Sequence, residues 1–282
     1  MRVHWKEVQP DGAGKLNLAV LSECEKPLQQ AMYSAALRAL DVSGKVQSVV
    51  VSQEEFELCV AHLVECGFNG AAVEKPHKVA AAKTAERYWV ARYSLGVANA
   101  LKFENGVFAQ NTEVEAMTRL LKDVPPEAAL VMGAGSAARS AAMALLQLGW
   151  KVKVWSRGGH KARLLRTLFQ RFDDLEILPQ ADPTGCRLVV NATPLGAKIG
   201  EIPPIQWQYG RPNMIFMDLV YRQVATDMLR TAALKGYKTI DGRELLAEQA
   251  ALALEWWLSQ TIPRDPLREA AGLKPKPEFG NF

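Results

Sequence analysis

The chain has 282 residues, of which 49% are hydrophobic and 23% charged, and 34 Lys and Arg against 30 Asp and Glu leave a net charge of +4. That much apolar side chain builds cores, so disorder is excluded as the main state, and at about 150 residues per domain the length predicts roughly two domains. The positive balance is slight and contains no run of five basic residues, which argues against nucleic acid as a partner. No apolar stretch approaches the roughly 18 residues of a membrane span.

The N-terminal segment lacks the apolar core of a signal peptide. Cys24, Cys59, Cys66 and Cys186 make no C-x-x-C pair, and no Cys/His cluster has zinc spacing. The chain is therefore expected to be cytoplasmic, with reduced thiols and no metal.

In chain order, Leu18–Leu21 reads as a short buried strand. Pro27–Leu40 reads as a helix, with Leu28, Ala31, Met32, Ala35 and Leu37 roughly on one face. Val46–Val51 is rich in β-formers, Glu54–Glu65 is helical with Gly67 as its stop, and Gly70–Val73 is a short strand. This alternation predicts a first α/β domain with mostly parallel pairing. After Pro125-Pro126 the alternation restarts. Ala129–Met132 is a strand, followed by an Ala-rich helix to about Leu148, and Lys151–Trp155 is the next strand. Lys161–Phe172 is a helix, Leu188–Val190 and Met214–Met217 are strands, Thr226–Lys235 is a helix, and Glu244–Trp257 is a long amphipathic helix. The segment from Pro263 is Pro-rich and expected to be loosely ordered. The fold class predicted is α/β, with two α/β domains.

The strongest chemical signal is Val131–Ala138 (VMGAGSAA). It has the order strand, Gly-x-Gly-x-x-Ala, helix. Gly133 permits the tight turn, Gly135 lets backbone approach a pyrophosphate, and Ala138 allows close packing of helix on strand. Ala134, Ser136 and Ala137 complete the loop, whose helix N-terminus offers free N–H groups to phosphate. A glycine turn without a ligand is the competing reading. An NAD site places an acid at the end of the following strand. Here Ser156, Arg157 and Lys161 follow that strand, and no acid appears before Asp173. Arg157 and Lys161 suit a ribose 2′-phosphate, so NADP is the expected cofactor, with a solvated basic loop as the alternative.

The order and spacing of eight segments resemble the shikimate/quinate dehydrogenase family. They are Gly70–Lys78 (GAAVEKPHK), Val97–Leu101 (VANAL), Ala109–Glu113 (AQNTE), Gly133–Ala138, Ser156–Gly158 (SRG), Asn191–Gly196 (NATPLG), Asp218–Thr226 (DLVYRQVAT) and Asp241–Gln249 (DGRELLAEQ). The resemblance implies an N-terminal substrate domain (1–114), a C-terminal Rossmann NADP-binding domain (115–240) and a final helix and tail (241–282) that return to the substrate domain, with a cleft between the domains. It implies Lys78 and Glu113 as the catalytic pair. It implies substrate contacts from Asn99, Tyr221 and Gln249, and Thr193, Leu219 and Gly242 near the nicotinamide. A cationic ammonium at Lys78 would stabilise an alkoxide and donate its proton while a carboxylate orients it. His77 is read as a supporting or exposed residue, not a base.

The departures concentrate in the substrate half. The family's S-x-S-P stretch corresponds to Cys24-Glu25-Lys26-Pro27, its N-V-T to Ala72-Val73-Glu74, its N-T pair to Asn99-Ala100, and its catalytic Asp to Glu113. The resemblance implies reversible hydride transfer between NADPH and 3-dehydroshikimate or a quinate-type analogue. Two alternatives stand beside it: the same chemistry on a different cyclic hydroxy acid or amino analogue, and NADP binding without turnover. The expected partner is a small cyclic hydroxy acid, with no nucleic acid or membrane, acting on a monomer or homodimer.

Overall fold

A computed structural model describes residues 3–12, 14–88 and 95–274. The described residues divide into two compact units. One combines the residues up to Thr112 with those from Ala247, and the other runs Glu113–Leu246.

The first unit holds, in chain order, β1 (Val3–His4), β2 (Leu16–Ser22), α1 (Pro27–Ala39), β3 (Gly44–Val50), α2 (Phe56–Glu65), β4 (Gly70–Val73), α3 (Lys78–Thr84), β5 (Arg87–Tyr88), β6 (Ala100–Phe103) and β7 (Val107–Gln110). Among the described residues these strands form a seven-stranded sheet in the order β1-β3-β2-β4-β6-β7-β5. The β1/β3, β3/β2 and β2/β4 pairs are parallel. The β4/β6 and β6/β7 pairs are antiparallel, so this sheet is mixed. The reversal follows from a short turn: in Glu104-Asn105-Gly106, Asn105 and Gly106 have φ of 51° and 134°. Too few residues separate β6 from β7 for a crossover, and a hairpin is the only connection. Leu21, Val49, Phe56, Leu63, Phe68 and Leu101 are buried together in the core of this unit. Each such side chain contributes roughly 1.5–3 kcal/mol relative to exposure.

Helix α4 (Thr112–Leu121) starts at the division between the units. The second unit then continues with β8 (Ala128–Met132), α5 (Ser136–Gln147), β9 (Lys151–Trp155), α6 (Gly159–Leu168), β10 (Leu175–Ile177), β11 (Cys186–Asn191), β12 (Ile215–Asp218), α7 (Asp227–Leu234) and β13 (Lys238–Ile240). Its strands are all parallel, in the order β10-β9-β8-β11-β12-β13. This is the Rossmann order, and the strand order reverses between β8 and β11, the switch point where dinucleotides bind. Ala137, Ala138, Ala141 and Ala142 on α5 are buried. Their small side chains let the helix lie close against the sheet.

Helix α8 (Gly242–Leu258) carries the division at Leu246/Ala247 within it. The segment after Pro263, expected to be loosely ordered, instead forms α9 (Asp265–Ala270) as far as it is described. Leu267 is fully buried there, and Arg268 donates to the Lys274 carbonyl at 2.8 Å. Arg264 pairs with Glu248 at 2.9 Å and with Glu255. An apolar anchor and these charge-assisted bonds offset the low helix content that the Pro-rich composition suggested. Residues 275–282 lie outside the described set. Among the described residues no helix is long and apolar enough to cross a membrane.

Candidate active site

In the first unit, β2 and β4 run parallel and end side by side, at Ser22 and Val73. Beyond β4 the Glu74 N–H donates to the Leu21 carbonyl at 2.9 Å, and the His77 N–H donates back to the Glu74 carbonyl at 2.9 Å. This turn delivers Lys78 to the first position of α3. Lys78 is only 4% exposed. An ammonium is costly to bury, and the N-terminal end of a helix carries positive partial charge.

His77 stacks on Phe56, with ring centroids 4.9 Å apart, and its Nε2 lies 3.1 Å from the Val51 carbonyl. Its Nδ1 is buried without a partner. Burial holds the imidazole below its ordinary pKa, against the opposing pull of Glu23 and of the Val51 bond. The neutral form is thus the folded form. Its contribution to stability is present above the unfolded value of 6.5 and is lost as pH falls towards the lower folded value. We expect the urea midpoint of wild type to exceed that of His77→Asn by more at pH 7.5 than at pH 5.5. A gap independent of pH would exclude this titration.

Asn99 sits just before β6 and belongs to a buried network. Its Oδ1 accepts the Thr112 N–H at 2.7 Å, and its Nδ2 donates to Thr112 Oγ1 at 2.8 Å and to Gln249 Oε1 at 3.5 Å. Thr112 Oγ1 in turn donates to the Gln249 carbonyl at 3.1 Å. The Ala98 N–H donates to the Lys78 carbonyl at 2.8 Å, which ties the Asn99 segment to the start of α3. Asn99, Gln249 and the backbone of Lys78 are therefore held as one group within this unit.

In the second unit the glycine loop has the form a dinucleotide requires. Gly133 has φ of +122°, and a Cβ there would lie 2.8 Å from the Ala192 carbonyl oxygen, so no other residue fits. A Cβ on Gly135 would meet nothing within 4 Å, which leaves open space above the N-terminus of α5. Gly135 caps that helix without a side-chain bond, so the first N–H groups of α5 keep their donors for a phosphate. Ala134 and Ser136 flank it half-buried, and Ala137 is buried. The Gly133 N–H donates to the Trp155 carbonyl at 2.7 Å. That bond sets the end of β9 beside the loop, immediately before Ser156 and Arg157. Ser156 Oγ donates to the Gly158 carbonyl at 2.9 Å, and Arg157 and Lys161 are exposed. Open room, free N–H groups and adjacent cations fit the pyrophosphate and 2′-phosphate of NADP.

At the ends of β11 and β12 a second network is fully buried. Asn191 Nδ2 donates to Asp218 Oδ1 at 2.8 Å, and Thr226 Oγ1 donates to Asp218 Oδ2 at 2.6 Å. Thr193 donates through both N–H and Oγ1 to Asn191 Oδ1, at 3.0 and 2.7 Å. The Leu219 N–H donates to the Asn191 carbonyl at 2.9 Å. A Cβ on Gly242 would lie 2.7 Å from the Asp218 carbonyl oxygen and 2.8 Å from that of Val220, which makes glycine obligatory there. Thr193, Leu219 and Gly242 thus gather beyond the carboxyl ends of β11 and β12. Burial pushes the Asp218 carboxyl up to about 6, against its three hydrogen bonds. Its stabilising contribution is lost as pH rises through that value, opposite in sign to His77. For this reason the His77 prediction is framed as a difference between two chains.

The comparisons with known proteins agree with this geometry. The chain is 31% identical over 256 residues to the shikimate dehydrogenase (NADP(+)) of Methanocella arvoryzae, covering 88% of this chain and 94% of that one. The chain belongs to the shikimate dehydrogenase family. It is also 32% identical over 263 residues to the shikimate dehydrogenase (NADP(+)) of Synechococcus sp., covering 86% of this chain and 88% of that one. Its structure superposes with a TM-score of 0.82 on the Thermus thermophilus shikimate 5-dehydrogenase solved with NADP(H) and shikimate, which is 29% identical and matches over 91% of this chain and 98% of that one. No family model matches the chain.

Within the shikimate dehydrogenase family pattern, Glu113 replaces the expected Asp. It is 7% exposed, and its Oε2 accepts Ser140 Oγ at 3.0 Å. Ser140, on α5, receives the longer side chain; the sequence reading had not singled it out. The division between the units assigns Lys78 to the first and Glu113 to the second. Tyr221 is half-buried just beyond β12. Two further residues escaped the sequence reading, Thr112 and Asp218. Both lie inside the quoted motifs: a polar residue closing the apolar strand β12 signals Asp218, whereas Thr112 stands in a polar stretch at the start of α4 and has no such signal. Among the described residues no group of His, Cys, Asp and Glu could hold a metal ion.

Proposed function

We propose that the chain catalyses the reversible, NADP-dependent interconversion of shikimate and 3-dehydroshikimate. The observation that carries this reading is the buried Lys78 ammonium at the start of α3, in a chain of the shikimate dehydrogenase family. When bound, the nicotinamide ring supplies or accepts the hydride. The chain's own groups handle the substrate, the proton and the phosphates. Lys78 Nζ holds the proton that passes to the developing alkoxide in reduction, and its charge stabilises that oxygen. Glu113, held by Ser140, is the carboxylate of the catalytic pair and accepts a substrate hydroxyl. Asn99, Gln249 and Tyr221 fix the ring by hydrogen bonds to its hydroxyls.

For the cofactor, Gly133, Ala134, Gly135, Ser136 and Ala137 receive the pyrophosphate, and Ser156, Arg157 and Lys161 the 2′-phosphate. Thr193, Leu219 and Gly242 line the nicotinamide end. In domain terms, the first unit serves the substrate and the second the nucleotide. The test is absorbance at the nicotinamide band with purified protein, shikimate and either NADP or NAD. Shikimate-dependent reduction, faster with NADP, is expected. No turnover with shikimate or quinate would overturn the reading.

A further inference from the structure

Between β2 and α1 two donors that could cradle an anion are already engaged. Ser22 is fully buried, and its hydroxyl donates to the Cys24 carbonyl within the same loop. The Lys26 N–H donates to Ser48 Oγ at 3.0 Å. Across the ends of β2 and β4 an acceptor group faces this loop region instead. Gln29 on α1 is 3% exposed, and its Nε2 donates to Glu74 Oε1 at 2.6 Å. Glu74 itself is 9% exposed. Gln29 Oε1 is buried and has no hydrogen-bond partner among the described residues. On the same helix the Tyr33 phenol is pushed above its ordinary pKa by burial and by the charge of Glu74, so it remains a neutral O–H.

This pair lies at the carboxyl ends of parallel strands, where open α/β sheets bind their ligands, and the Glu74 turn leads directly into Lys78. A buried acceptor left without a donor is destabilising, so the orphan oxygen calls for a hydrogen-bond donor from a ligand. A carboxylate arriving there would meet the like charge of Glu74.

We propose that Gln29 and Glu74 form a specificity-determining pair, in which Gln29 Oε1 receives an uncharged donor group of the substrate, a hydroxyl or an amide N–H, and the Glu74 charge selects against a carboxylate at that subsite. The inference rests on the functional reading above and deepens it: shikimate is turned over, and analogues that are neutral at this position are turned over faster.

The test compares kcat/KM for shikimate, its methyl ester and its primary carboxamide with NADP as cofactor. The ester is neutral without a donor, whereas the carboxamide is neutral and carries N–H groups. Wild type is expected to rank carboxamide over ester over acid, with about tenfold between the extremes. Glu74→Gln removes the charge and should shift the ratio about tenfold towards the acid. Gln29→Met removes the orphan oxygen and should erase the advantage of carboxamide over ester while the ester still exceeds the acid. NADPH affinity and the circular dichroism spectrum report whether either variant is folded. An acid that matches or exceeds its neutral analogues in wild type, or a ranking that neither variant moves, overturns the proposal. If wild type turns over none of the three, the functional reading falls and this inference with it. That outcome differs visibly from the failure of the inference alone, in which all three react with an unaltered ranking.

Discussion

Lys78→Met is expected to lower kcat by about 10³-fold while NADPH affinity stays within about twofold of wild type. Methionine keeps most of the apolar stem that fills the buried site and removes only the ammonium. A drop of that size combines the loss of a proton donor with the loss of charge stabilisation on the alkoxide. The residues proposed to hold NADPH belong to the second unit, and Lys78 belongs to the first. Cofactor binding, followed by nicotinamide fluorescence, should therefore be unmoved. Single-turnover reduction separates chemistry from product release. A variant that retains turnover within tenfold of wild type would show that Lys78 is not the proton donor. Parallel loss of turnover and NADPH binding would point to a general structural defect.

Arg157→Ala is expected to weaken NADPH binding about 10–100-fold and NADH binding by less than about twofold. A charge-assisted hydrogen bond to phosphate is worth about 1.5–3 kcal/mol, and here it is lost only with the phosphorylated cofactor. Arg157 is exposed, so its attraction is screened and the NADPH affinity of wild type should fall with added salt more steeply than that of the variant. Equal losses for both cofactors would mean that Arg157 does not read the 2′-phosphate. Lys161, on the following helix, would then be the next cation to replace.

The nucleotide half was largely legible from the residues. Its elements announce themselves locally, because an apolar run, a Gly-x-Gly turn and an Ala-rich amphipathic stretch each act within a few residues. The strand read at Lys151–Trp155 is observed with the same bounds. Thr226, read as the first residue of a helix, is instead the N-cap of α7, with its side chain accepting from Leu229 N–H. The substrate half was less legible. The antiparallel turn at Asn105-Gly106 was missed although its residues signal a hairpin. Its short strands β1 and β5, like β10 and β13 of the nucleotide half, have too few residues to show a period. The helix α9 was hidden by a Pro-rich composition whose effect Leu267 and Arg264 override.

By itself the sequence determined the α/β class, the glycine loop, the basic residues after the second strand of the nucleotide half and the motifs that carry the family resemblance. These depend on local period, turn chemistry and residue type. Only the tertiary structure decided which polar groups share a neighbourhood. Asn99 and Gln249 are 150 positions apart, Gln29 and Glu74 are 45 apart, and Ser140 reaches Glu113 over 27. Such pairs are selected by how strands order themselves in a sheet and how helices pack on it, and no local pattern encodes them. The buried, half-satisfied Gln29–Glu74 pair exists only because the fold brings α1 within reach of the carboxyl end of β4.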